Sequence, residues 1–407
     1  MVFHCRDLGL GVEQVGVGIY GDHVAYGRFV CHFVNLCIFI QYRTDSTTAE
    51  FVAGLGGHTV HLFRKADLFK ITSADCKSTV VGHAVNLAGD LMYSGMSTGI
   101  RDLVKKDTLR SQQEKFARRG VMEREAIGLA GNITGRTAWD RAVTTALNPK
   151  AHYYTMNETL RASFYEGQWQ PEHCEPYSIF VSQADYPLKG LHYLLQALPQ
   201  IREKYPRVQV YVAGNDLTAY RTPKEKLKIS AYGRYLRRLI REGQLEDRVH
   251  FLGKLTGEEM KERFLKSHLF LCCSSLENSP NSLGEAMLLG VPCISTEVGG
   301  IPSLFDGGRD GLWCRGHQLS EVAENDKYAS DASESKNNMR NYKTTKTEEL
   351  ENIVNSMANS IIEMWSSPEK MLEYSKNARE HARKTHDKER NFAKLQEIYA
   401  NIAGRKE

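Results

Sequence analysis

Two glutamates, Glu277 and Glu285, stand eight positions apart in SSLENSPNSLGEAMLLGVPCISTEVGGIP, residues 274–302. A turn rich in Ser and Pro separates a buried run, LFLCCSS, from a helix of small and apolar residues expected to span 283–289. The first amides of such a helix have no intrahelical acceptor and lie at the positive end of its dipole, so they favour an anion such as a diphosphate. A carboxylate at Glu285, read as part of that first turn, is badly placed against a phosphate. It can instead accept two hydroxyl hydrogen bonds of the kind a ribose offers. Glu277 precedes the turn, on the other side of the anion, where it can meet a sugar hydroxyl or orient a reacting group. A bare pair of glutamates is more often ordinary helix-end chemistry plus a solvated side chain. Here the pair brackets a strand-to-helix turn, and VPCISTE follows at once as a new strand, which favours a site.

The surrounding elements fit that reading. From Ser178 the chain alternates strands with amphipathic helices: SIFVSQ, then LHYLLQALPQIREKY, VQVYVAGN, YGRYLRRLIREGQ, VHFLGKL, GEEMKERFLKSH, LFLCCSS, LGEAMLLG and VPCISTE. Such alternation implies βαβ units and a parallel sheet, and apolar strands imply a sheet covered on both faces. Ligands of doubly wound sheets sit beyond the carboxyl ends of the strands. Residues 320–352 are polar, with little to bury, and read as a loop or a frayed helix; the tail helices should break near His386–Asp387. The N-terminal half is less regular. GLGGHTVHLF reads as turn and strand, residues 108–130 as a basic helix, and GNITGRTAWDRA as a strand entering a helix.

With 407 residues, two domains are expected. The net charge of +4 is too small to call for nucleic acid. Nine scattered cysteines, without zinc-type spacing, read as buried thiols in a reducing compartment. The apolar run FVCHFVNLCIFI is too short to span a bilayer, so a cytoplasmic protein is expected.

The stretch ENSPNSLGEAMLLGVPCISTEVGGIPSL resembles the E-x7-E donor site of retaining glycosyltransferases of family 4, the glycosyl transferases group 1. The likeness extends through SQADYPLKGLHYLLQALPQI, YVAGN and FLGKL, over roughly residues 178–315. It implies the GT-B fold: two Rossmann-like domains facing across a cleft, with a C-terminal helix crossing back to the first. The expected bounds are 1–172 for an acceptor-side domain, 173–386 for a nucleotide-sugar domain with a polar insert near 318–350, and 387–407 for the crossing helix. By the resemblance, Glu285 holds the donor ribose and Glu277 contacts the donor sugar near the reacting centre. The backbone of Asn281, Ser282 and Leu283 faces sugar and diphosphate, Lys189 pairs with the diphosphate, and Gly214, Gly253 and Lys254 lie along the nucleobase. The family often has an Arg where this chain has Gln183. His83, in STVVGHAVNLAGDLMYSGM, is the candidate acceptor-side catalytic residue, with His58 and His61 as alternatives. Between Phe63 and Ser78 the chain is shorter than the family's usual strand and loop, so the N-terminal domain is atypical.

No two Asp residues lie two apart, in keeping with a metal-independent scheme without cofactors. The implied reaction moves a sugar from a nucleoside diphosphate to a glycan or lipid-linked acceptor, with retention of configuration, in cell-surface polysaccharide assembly. Lys105, Lys106, Arg110, Lys115, Arg118 and Arg119 form a basic stretch able to rest on the anionic inner face of a membrane, or simply to be solvated. The competing reading is a non-catalytic sugar-nucleotide-binding protein with a degenerate acceptor domain. A GT-B epimerase or phosphorylase ranks last.

Overall fold

The structure is a computed structural model that describes residues 69–70, 98–105, 108–220, 222–315 and 336–404. Its first lobe holds β1 (Phe69–Lys70), α1 (Ile100–Val104), α2 (Leu109–Leu129), β2 (Asn132–Gly135), α3 (Ala138–Leu147) and β3 (His152–Thr155). The three strands are parallel in the order β1-β2-β3, with Ile133 opposite Phe69 on one side and Tyr153 on the other. A capping box starts α3: the Thr137 hydroxyl accepts from the Asp140 amide, and Asp140 reaches back to the Thr137 amide.

The second lobe runs β4 (Glu175–Val181), α4 (Leu191–Lys204), β5 (Gln209–Ala213), α5 (Pro223–Lys226), α6 (Ala231–Glu242), β6 (Val249–Gly253), α7 (Gly257–Lys266), β7 (Ser267–Cys272), α8 (Asn281–Leu289), β8 (Cys293–Thr296) and β9 (Gly311–Cys314). Then follow α9 (Lys336–Ser366), α10 (Pro368–Thr385) and α11 (Lys388–Gly404). All six strands are parallel, in the order β6-β5-β4-β7-β8-β9. The chain steps outward from β4 to β6, returns to lie beside β4 as β7, and steps outward again on the other side. The crevice between β4 and β7 is therefore the topological switch point. Together the two lobes give the GT-B fold.

Apolar strands find their reason in this sheet. Ile179, Phe180, Val210, Leu269, Phe270, Leu271 and Ile294 are wholly buried, with Leu194 and Leu198 of α4 and Leu289 of α8 covering them. Phe264 meets Phe164, Phe180 and Phe270 edge-on or nearly so. Leu160, Phe164 and Trp169 already belong to this core, and the Trp169 indole donates to the Ser267 carbonyl at 2.8 Å. The chain thus joins the second lobe's packing before β4 begins.

Helix α9 starts at Lys336, well inside the polar stretch expected to be loop or frayed helix; residues 316–335 lie outside the described residues. Ile353, Met357, Ile361 and Trp365 anchor its later turns in the core. Once those turns are fixed, each preceding residue is added by propagation rather than nucleation, so a polar segment follows. The last two helices part at His386–Asp387. Beyond that break α11 packs Ile398 against Met156, with Leu395, Tyr399, Ile402 and Tyr154 around them, so it rests on the end of β3 in the first lobe. Among the described residues no helix is long and apolar enough to cross a membrane. The described cysteines are free, and all but Cys174 are buried.

Candidate active site

The carboxyl ends of β4 to β7 gather most of the expected site. Gln183 and Lys189 follow β4, Gly214 follows β5, Gly253 and Lys254 close β6, and Glu277 follows β7. Lys189 ends a one-turn 3-10 helix, and the next residue, Gly190, is left-handed at φ 72°. A Cβ there would run into the Cys273 carbonyl at the end of β7, so glycine lets β4's loop lie flat against the neighbouring strand. That close approach sets the Lys189 ammonium 2.5 Å from Glu277 Oε1, across the switch point. Ser274 donates to the same oxygen at 2.9 Å. Glu277 is buried, and Lys189 nearly so. Burial opposes the charged ammonium, but the Glu277 carboxylate, Tyr186 and Cys272 together hold the Lys189 pKa above its ordinary value.

Helix α8 opens at Asn281 with Pro280 as its cap, two residues earlier than the pattern predicts. Pro suits a helix entry because its φ is preset. The Pro280 carbonyl accepts from the amides of Leu283 and Gly284. The amides of Asn281 and Ser282 have no acceptor among the described residues. Those free donors face the start of the turn, as an anion site requires.

The earlier start moves Glu285 into the helix's second turn, a correction to the first-turn placement. It is not solvated. Arg161, in the segment joining the lobes, grips it with a two-pronged pair, Nε to Oε1 and Nη2 to Oε2, both 2.7 Å. The guanidinium also lies over the Phe164 ring at 4.5 Å. Burial raises the Glu285 pKa, and Arg161 pulls it back only in part. One carboxylate has about four lone-pair sites, so this pair leaves room for hydroxyl donors.

Gly214 and Gly253 touch: the Gly214 amide donates to the Gly253 carbonyl at 2.8 Å. Both are left-handed, φ 109° and 74°, and a Cβ on Gly253 would meet nothing within 4 Å, so its face is open. Lys254 and Gln183 are exposed. His83, and the alternatives His58 and His61, lie outside the described residues, as do the side chains of Lys106, Arg110, Lys115 and Arg119. Arg118 and Lys105 are exposed.

Several residues at this site carry no signal in a simple motif reading. At the start of α3 the first lobe leans on the turn before α8. Thr137 donates to Asn278 Oδ1 at 2.6 Å, and Asn278 donates to Asp140 at 3.2 Å. Arg136 donates through Nη1 to Asn281 Oδ1 at 2.8 Å, Ser279 Oγ at 3.2 Å and Glu158 Oε2 at 3.2 Å. His386 is buried at the break before α11, its Nδ1 2.8 Å from the Glu158 carbonyl. A Cβ on Gly284 would come within 2.7 Å of its Nε2, which is why α8 carries glycine there. The T-x-x-D capping box at the carboxyl end of β2 could have marked Arg136 and Thr137 as cleft residues. Nothing local distinguishes Arg161, and the expected helix break marks His386 only as a helix end.

Residues 164–346 match the family described as Glycosyl transferases group 1. That span, less than half of the chain, is similar to members of that family. Its curated relatives include N-acetyl-alpha-D-glucosaminyl L-malate synthase of Bacillus anthracis, 41% identical over 21% of this chain and 22% of the relative. Another is a phosphatidylinositol N-acetylglucosaminyltransferase polypeptide of Homo sapiens, 30% identical over 29% of this chain and 21% of the relative. A third is a putative colanic acid biosynthesis glycosyltransferase of Salmonella typhimurium, 31% identical over 35% and 31%. The chain thus spans between a fifth and a third of the length of these relatives. Among solved structures, sucrose-phosphate synthase from Thermosynechococcus elongatus shares the fold at TM-score 0.53 and 18% identity, over 71% of this chain and 63% of that one. Anabaena HepE, solved with UDP and glucose, does so at TM-score 0.51 and 16% identity, over 72% and 68%. The turn and the two glutamates that bracket it lie within the matched span.

Proposed function

We propose that this chain is a hexosyltransferase that moves a sugar from a nucleoside diphosphate to a glycan or lipid-linked acceptor, with retention and without a metal. One observation carries the reading: Lys189 and Glu277 meet at the switch point beside the free amides that open α8. Leaving-group departure puts negative charge on the diphosphate and positive character on the sugar. A buried ammonium and oriented amides stabilise the first, and a carboxylate on the opposite side of the turn orients the second. Glu285 receives the ribose hydroxyls, and the open edge at Gly214 and Gly253 takes the base. The likeness of short segments to enzymes of glycan and lipid-linked sugar transfer supports cell-surface polysaccharide assembly as the setting. A lipid-linked acceptor would bring the basic stretch around Lys105 and Arg118 to an anionic membrane surface. Failure to pellet with anionic liposomes even at low salt would remove that part.

The test begins with a thermal-shift screen against UDP-, GDP-, ADP- and dTDP-sugars, since a bound ligand raises apparent stability by mass action. Donor hydrolysis or transfer is then followed in Glu277→Gln, where Gln still accepts from Lys189 and Ser274. Donor binding survives, turnover is lost, and wild-type turnover withstands EDTA. A wild-type protein that binds donor but never turns it over with any acceptor extract points to the binding-only protein instead.

A further inference from the structure

Gln183 leaves Lys189 as the one cation of the loop 182–190 that follows β4. Arg136 brings another from the opposite lobe. It follows β2 directly, and its amide is tied to Asp140 Oδ2 at 3.0 Å, so the backbone at this point is fixed. The side chain is only 3% exposed and crosses to the turn that opens α8. All three of its hydrogen bonds, to Ser279, Asn281 and Glu158, use the same nitrogen, Nη1. Nε is buried, and neither it nor Nη2 makes a hydrogen bond among the described residues.

A guanidinium has five N–H donors, and leaving them unmet in the interior is costly. A bridge between the lobes would need only Nη1, so that role accounts for the side chain incompletely. The unused donors lie beside Asn281, whose amide, like that of Ser282, is itself without an acceptor among the described residues. The guanidinium of one lobe and the opening amides of α8 in the other are therefore linked through the Asn281 side chain. An oxyanion with several acceptor oxygens would satisfy both sets, and the planar fork of Arg suits a phosphate. Burial lowers the Arg136 pKa, while Glu158 and Asp140 act in the other direction; the group remains a cation.

We infer that Arg136 reaches across the cleft to bind the donor's diphosphate jointly with the opening amides of α8, supplying the charge that Gln183 does not. This rests on the donor reading above. Glu158, which is 21% exposed, is the internal counter-ion that the diphosphate displaces.

The experiment is calorimetric titration of the full chain with the nucleoside diphosphate that gives the largest thermal shift, and with its parent nucleoside. Arg136→Gln should weaken the diphosphate by about 10- to 100-fold, the usual scale for a charged hydrogen-bonding partner, and leave the nucleoside unchanged. Adding Gln183→Arg to that variant should restore much of the loss. Glu158→Gln should tighten diphosphate binding, because the competing carboxylate is gone. If Arg136→Gln fails to fold, Glu158→Gln and Arg136→Lys carry the test, the latter expected to weaken the diphosphate selectively. Equal loss of nucleoside and diphosphate would make Arg136 a structural bridge and overturn the inference. So would unchanged diphosphate affinity in these variants. A wild-type chain that binds no nucleoside diphosphate overturns the donor reading itself, a result distinct from both.

Discussion

Lys189 and Glu277 form a contact that the crevice needs for its own stability. A buried carboxylate without a counter-ion is expensive, and the ammonium 2.5 Å away removes that cost until a diphosphate competes for it. The buried imidazoles behave in the opposite sense. His386 is held down to about 4 by burial first and then by the nearby Arg136 charge, and His268 to about 4 by burial. His268 Nδ1 accepts from the Tyr177 amide at 2.9 Å and its ring stacks on Trp365, so protonation there would cost an acceptor. Folded-state values below the ordinary 6.5 mean that the unfolded chain binds more protons between those limits. Stability is therefore full above pH 6.5 and falls as pH drops toward 4, by on the order of 3 kcal/mol per imidazole. Denaturant midpoints at pH 7, 5.5 and 4.5 should show the slope, and His268→Gln should flatten part of it. A midpoint constant over that range would contradict the buried neutral imidazoles.

Elements meet at this site through glycines that permit close approach. Gly190 is left-handed and pressed on the end of β7, and the loop it controls carries Lys189. Ala at position 190 would have to adopt an unfavourable φ and push the β4 loop off β7. Gly190→Ala is expected to cost about 1–3 kcal/mol in chemical denaturation and to weaken donor binding, because Lys189 loses its register against Glu277. A variant equally stable and equally tight in donor binding would show that the loop position is not set there. Helix α8 is legible in the sequence, but its first residue is not. Its small residues and following strand are local signals, but Pro280 as a cap brings the helix forward by two positions.

Across the molecule, the last helix ties the lobes together. Ile398 is fully buried against Met156 at the end of β3, more than 240 positions earlier in the chain. Ile398→Ala should lower stability by about 2–5 kcal/mol, measured as a shift in denaturant midpoint at constant slope. If the midpoint does not move, α11 does not hold the first lobe. The lobes are joined again where Thr137 and Arg136 meet the 278–281 turn, and where buried Asp102 of α1 accepts from Arg234 and from the Ala231 amide of α6.

The alternation of strand and helix, the covered parallel sheet and the two glutamates around one turn could all be read from sequence, because each depends on periodicity or on neighbours within a few positions. The pairing inside the crevice could not. Lys189 and Glu277 are 88 positions apart, Arg161 and Glu285 are 124, and Arg136 and Ser279 are 143. Composition and spacing carry no information about which distant charges will share a low-dielectric pocket. The tertiary structure does: strand order sets the ends of β4 and β7 side by side, and the facing of the two lobes brings the end of β2 to the opening of α8, where burial forces each charge to find a partner.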